Sequence, residues 1–134
     1  MKDSPNFIQA TSLFILKAKE SKMNEDRVVY NYVTGKPGDV VSIVVRKISA
    51  HTRDRVVRWF RIGITNYPER RFNRHKGLYD KMKVIYRSTS LESVRELERE
   101  LIEHNKELAD NFIGGGGGRI GEPPYFMYVV VRYW

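Results

Sequence analysis

The chain has 134 residues, with 24 Lys+Arg against 16 Asp+Glu and a formal net charge of +8, a length that fits one domain spanning 1–134. Hydrophobic residues at 41% and aromatics at 12% exclude global disorder. The absence of cysteine excludes disulfides, thiolate metal sites and thiol catalysis, and fits a reducing, cytoplasmic compartment. No apolar run approaches the roughly 20 residues that cross a bilayer, so no membrane role is expected. The start, MKDSPNFIQA, carries an early acid and no long apolar core, unlike a signal peptide. The charge is concentrated: residues 46–76 hold ten Lys/Arg and two acids, while the rest of the chain is balanced. A patch of one sign on a neutral body points to a polyanion.

In chain order, residues 1–27 read as an N-terminal extension, in which 8–19 fits a short helix or a strand. Val28–Thr34 is strand-like, and Gly35-Lys-Pro-Gly38 reads as a turn. The β-branched run from Val40 to Ile48 predicts a second strand, and Val56–Thr65 a further one, so 28–65 predicts a meander or hairpin. Asn66 or Tyr67 caps a helix with Pro68 in its first turn, running to about His75 and ended by Gly77. Lys83–Arg87 is a short strand. Thr89-Ser-Leu-Glu92 matches a capping box and opens a helix from Leu91 to Leu108. Residues 110–124 form a loop with the glycines Gly114–Gly118, and Tyr125–Trp134 is a terminal strand that completes the sheet. The sum is an α+β domain, a small antiparallel sheet of three to five strands with two or three helices on it.

Three features carry candidate chemistry. On the last helix, at about 100° per residue, Leu91, Val94, Leu97, Leu101, Ile102 and Leu108 form one apolar stripe. Five of six glutamates lie opposite it, and Glu98 falls inside it. A carboxylate there must be paired, hydrogen-bonded or metal-bound. The options are a salt bridge to a basic residue of 46–76, or a metal ligand or catalytic group. On the preceding helix, Arg71 and His75 share one face and Arg70 and Arg74 another. Arginine suits phosphate contact and histidine proton transfer, although short arginine-rich helices are commonly just solvated. The glycine run before Arg119 fits either a flexible connector or a backbone that approaches a phosphate closely.

The segment from Arg61 to His75 (RIGITNYPERRFNRH), with Gly63, Thr65, Arg71 and His75 in register, resembles the second strand and first helix of the GIY-YIG nuclease superfamily. Leu97-Glu-Arg-Glu-Leu-Ile102 is similar to that family's glutamate helix and selects Glu98, and Asn111 is similar to its distal asparagine. The resemblance covers residues 40–113, within a core of 28–113 followed by a glycine loop and C-terminal strand at 114–134. It implies an endonuclease hydrolysing phosphodiester bonds in DNA with Mg²⁺ or Mn²⁺. Glu98 would be the metal ligand, Arg71 would stabilise the phosphate, and His75 would assist a tyrosine base. The family's tyrosines are replaced by the Ile48-Ser-Ala50 stretch and Arg61, so Tyr32, or else Tyr30, Tyr67 or Tyr86, would have to serve. Arg55, Arg58, Arg61, Arg70, Arg74, Asn111 and Arg119 would contact nucleic acid. The missing tyrosines leave two rivals: an inactive module binding nucleic acid or a nucleotide, and a structural partner protein in which Glu98 and Arg71 form only a buried ion pair. A stand-alone domain of this kind would suit a phage or mobile element, and the sequence leaves oligomeric state open.

Overall fold

A computed structural model of the chain describes residues 27–53, 55–105 and 120–134. The expectations for 8–19, for Asn111, for the glycine run and for Arg119 lie outside those residues, whereas the last helix, expected to reach Leu108, ends at His104 with Asn105 as its extended C-cap. The described elements run β1 (Val28–Val33), α1 (Pro37–Thr52), β2 (Val57–Thr65), α2 (Pro68–His75), β3 (Lys81–Ser88), α3 (Leu91–His104) and β4 (Tyr125–Tyr133). The α+β class holds, with a four-stranded sheet and three helices. Strand order is β1-β3-β4-β2. β3 and β2 both pair antiparallel with β4, whereas β1 pairs parallel with β3, so the sheet is mixed. Among the described residues, no helix is long and apolar enough to cross a membrane.

The second predicted strand does not form. Residues 40–48 are not a strand but the middle of helix α1, and β1 and β2 lie at opposite edges of the sheet rather than in a hairpin. The reason is spacing. Val40, Val44 and Ile48 recur every fourth residue and are all buried, so a helix hides them on one stripe. That burial outweighs the β-propensity of valine and isoleucine. Gly35, at φ 129°, makes the turn, and Pro37 begins the helix. The buried Tyr86 hydroxyl donates to the Gly35 carbonyl at 2.6 Å and pins that turn.

The cap of α3 is displaced by one residue from the sequence reading. Ser90, not Thr89, is the N-cap, and its side chain accepts from the Ser93 amide at 3.2 Å. The α3 stripe is centred on Val94, Leu97 and Leu101, which are fully buried, while Ile102 is exposed. Glu98 therefore sits on the border of the stripe and is half-buried.

The sheet separates two cores. On one face, α1 and α3 cover Ile62, Ile64, Ile85, Met127, Val129 and Val131. On the other, Phe72 of α2 packs with Val28, Met82, Val84, Tyr128 and Val130. The pleat alternates along β4: odd residues from Tyr125 face α1 and α3, and even residues face α2. This division fixes where every candidate side chain points.

Candidate nucleic-acid interface

The α2 face carries the site. β2 leaves the core at Thr65, whose hydroxyl accepts from the Tyr67 amide at 3.1 Å and bends the chain into α2. Pro68 lies in the first turn, as the sequence predicts. Phe72, only 2% exposed, anchors this eight-residue helix to the sheet. With Phe72 turned inward, Arg70, Arg71 and Arg74 are presented around a cavity of about 100 Å³, whose lining is completed by Thr65, Asn66 and Ile120. Among the described residues, no carboxylate is in that lining. The loop before β4 closes one side. Asn66 donates to the Glu122 carbonyl at 3.1 Å, and Gly121, at φ 89°, passes so near that a Cβ there would come within 2.7 Å of the Asn66 amide nitrogen.

The Arg71 guanidinium lies close to the Tyr128 hydroxyl. Tyr128 stands directly across from Gly63 in the β2–β4 register, and its ring occupies the space a side chain at 63 would fill. Burial pushes the Tyr128 phenol up, while the nearby charges of Arg71 and Arg61 pull it down without reversing the rise. Tyr128 thus holds its proton at neutral pH and stands as a neutral neighbour of Arg71. The sequence reading missed this residue. Its signal was alternation in 125–133 combined with a glycine in the middle of a strand, which marks a close approach.

The predicted site residues divide between the two faces of the sheet. Arg61, Arg70, Arg71 and Arg74 belong to the α2 face, as do Tyr30 and Tyr32, whose rings meet the edge of Phe126 at 6.4 and 6.1 Å. Glu98 is on α3, beyond the sheet, so it and Arg71 do not share a site. Burial and the nearby Glu69 carboxylate both raise the Tyr30 pKa, which disqualifies it as a base near neutrality. Arg58 stacks on aromatic rings, Arg70 lies over the Tyr67 ring at 5.2 Å, and Arg55 is exposed between α1 and β2. The His75 side chain lies outside the described residues.

Glu98 has one buried carboxylate oxygen without a hydrogen-bond partner among the described residues, and burial raises its pKa above the ordinary carboxylate value, against the opposing charges of Arg95 and Arg99. The expected salt bridge to a basic residue of 46–76 does not form among the described residues, where the ion pair present is Arg132–Asp80. This environment does not fit a divalent cation. The charges nearest Glu98 are themselves cations, and no group of three or more His, Asp or Glu side chains converges among the described residues. No family model, curated protein or solved structure matches the chain.

Proposed function

We propose that this chain is a nucleic-acid-binding module whose phosphate contacts are made by Arg70, Arg71 and Arg74, with DNA as its polyanion. The observation that carries the reading is the convergence of three arginines on one cavity that, among the described residues, no carboxylate lines. Guanidinium groups there can grip a phosphate from several directions, and the Tyr128 hydroxyl and the Tyr67 ring lie close to two of them. The concentration of positive charge in 46–76 adds long-range attraction. The GIY-YIG resemblance favours the same class of ligand. Hydrolysis through an Arg71–Glu98 pair is the weaker reading, because the sheet stands between the two residues.

The test is fluorescence anisotropy with labelled 20-nucleotide DNA at several salt concentrations. Wild type is expected to bind, with log affinity falling linearly in log salt. Arg71→Ala, and Arg70→Ala with Arg74→Ala, should weaken binding, each lost phosphate contact on duplex reducing the slope by about 0.9. Plasmid incubated with Mg²⁺ should stay supercoiled. Absence of binding at low salt overturns the proposal. Nicking that disappears in Glu98→Ala would restore the hydrolytic reading.

A further inference from the structure

We infer that the nucleic acid is held single-stranded, with bases stacking on Trp59 and Trp134. This rests on the binding reading above and names the substrate class of the same face. β2 is irregular between Val57 and Trp59: Val57 pairs with Tyr133, yet Trp59 pairs with Arg132. The irregularity lets Arg58 and Trp59 emerge together, and because Phe60 packs into the α1/α3 core, Trp59 points to the arginine face. Trp134 is fixed beside them by its amide, which donates to the Val56 carbonyl at 2.9 Å.

The Arg58 guanidinium lies 4.5 Å from the Trp59 ring centre and 4.9 Å from that of Trp134. One cation thus orders two indoles. Trp59 and Trp134 remain 44% and 80% exposed as residues, the latter the most open of the large hydrophobic residues described. Ordered aromatic planes beside guanidinium groups match the way proteins hold unpaired strands, where each stacked base is sequence-tolerant and the cations follow the backbone. The spacing suits a track rather than a point. Trp59 and Thr65 are six positions apart, about 20 Å of strand, with Arg61 on the same face between the indoles and the arginine cavity. Bases inside a duplex are already stacked on one another, so the indoles distinguish the two forms where the arginines alone would not.

Trp59 and Trp134 are the two tryptophans of the sequence, so intrinsic fluorescence reports on them alone. A 15-nucleotide thymidine oligomer, and a hairpin duplex with the same number of phosphates, are titrated into the full chain. The oligomer is expected to quench the fluorescence and to bind several-fold tighter than the hairpin. Trp59→Ala should lose about five-fold or more of the oligomer affinity, from the usual range of base–aromatic stacking, and leave hairpin binding unchanged. Trp59→Phe, which retains an aromatic plane, should recover most of that loss. Arg71→Ala should weaken both ligands. Binding of both ligands with no quenching and with Trp59→Ala equal to wild type overturns the stacking inference and leaves the arginine reading standing. No binding of either ligand overturns both. A fluorescence change that depends on protein concentration without any oligonucleotide identifies a second copy as the occupant and overturns the inference.

Discussion

Gly63→Ala is expected to destabilise the fold and to disturb the arginine cavity together. Gly63 is buried in β2 and faces Tyr128 across the β2–β4 pair. A Cβ added there would overlap the Tyr128 hydroxyl and come within 2.5 Å of Cζ and 3.0 Å of Cε2. Carbon contacts are comfortable only at about 3.5–4.0 Å, so the ring must retreat by roughly 1 Å. It has little room to do so, being 2% exposed and backed by Phe72, Val84 and Val130. Overpacking of this kind costs about 1–3 kcal/mol, and the backbone benefit of Gly→Ala offsets about 0.5–1 of it. The net is about 0.5–2 kcal/mol, a fall of roughly 2–8 °C in Tm for a domain of this size. Because the displaced hydroxyl lies close to the Arg71 guanidinium, oligonucleotide affinity should fall as well. Thermal unfolding followed by circular dichroism measures the first effect and anisotropy the second. A double-mutant cycle assigns the cause: with Tyr128→Leu present, Gly63→Ala should become neutral or stabilising. A Tm for Gly63→Ala at or above wild type in the Tyr128 background would refute the reasoning.

Three further outcomes follow from the same geometry. Glu98 has a native pKa raised above its unfolded value, so the native state holds its proton to higher pH; that contribution is intact below about pH 4.5 and is lost as pH rises through the raised value. Urea midpoints across pH 4–8 should therefore decline less in Glu98→Gln than in wild type, and an identical decline refutes the assignment. Ser90→Ala removes the N-cap of α3 and should cost about 1 kcal/mol in urea unfolding, with Ser90→Asp close to wild type. Tyr86→Phe leaves the Gly35 carbonyl without its donor and should cost about 1–2 kcal/mol by the same measurement, while leaving oligonucleotide binding untouched.

What the residues made legible was local. The helix opened by Pro68, the strand around Lys83–Arg87, the serine-capped helix and the terminal strand all follow from caps, alternation and apolar stripes that act within a few residues. Val40–Ile48 misleads because valine and isoleucine favour a strand by propensity and a helix by spacing, and only the α3 and β3 surfaces that the helix covers decide between them. The candidate site was legible in its cations and not in its partners. Arg70, Arg71 and Arg74 are visible as one helix, but the Arg71–Tyr128 contact joins residues 57 positions apart and depends on the β2–β4 register. Trp59 lay in a segment read simply as strand, and its exposure arises from an irregularity that periodicity cannot reveal.

The pairing of Arg71 with Glu98 shows why a linear motif can be in register and still not assemble. Both residues sit on helices that follow strands, and each helix chooses a face of the sheet by where its apolar side chains go. α2 has one large anchor, Phe72, and the pocket that receives it is built by Val28, Met82, Val84 and Val130. α3 has Val94, Leu97 and Leu101, which meet α1 and the opposite set of strand residues. Neither helix could change sides without exposing its anchors to water and leaving a pocket unfilled. The same sorting divides the basic stretch. Arg46 and Arg53 go with α1, where they line a surface hollow, whereas Arg58, Arg61, Arg70, Arg71 and Arg74 go with β2 and α2. A charge excess that is continuous in the sequence therefore reaches solvent as two unequal parts. Of these, the part from β2 and α2 combines a cavity, a buried hydroxyl close to one guanidinium, and aromatic rings that order two others. Preorganised arginines lose less freedom when they close on a phosphate, which is the physical reason to place binding there and not on α1.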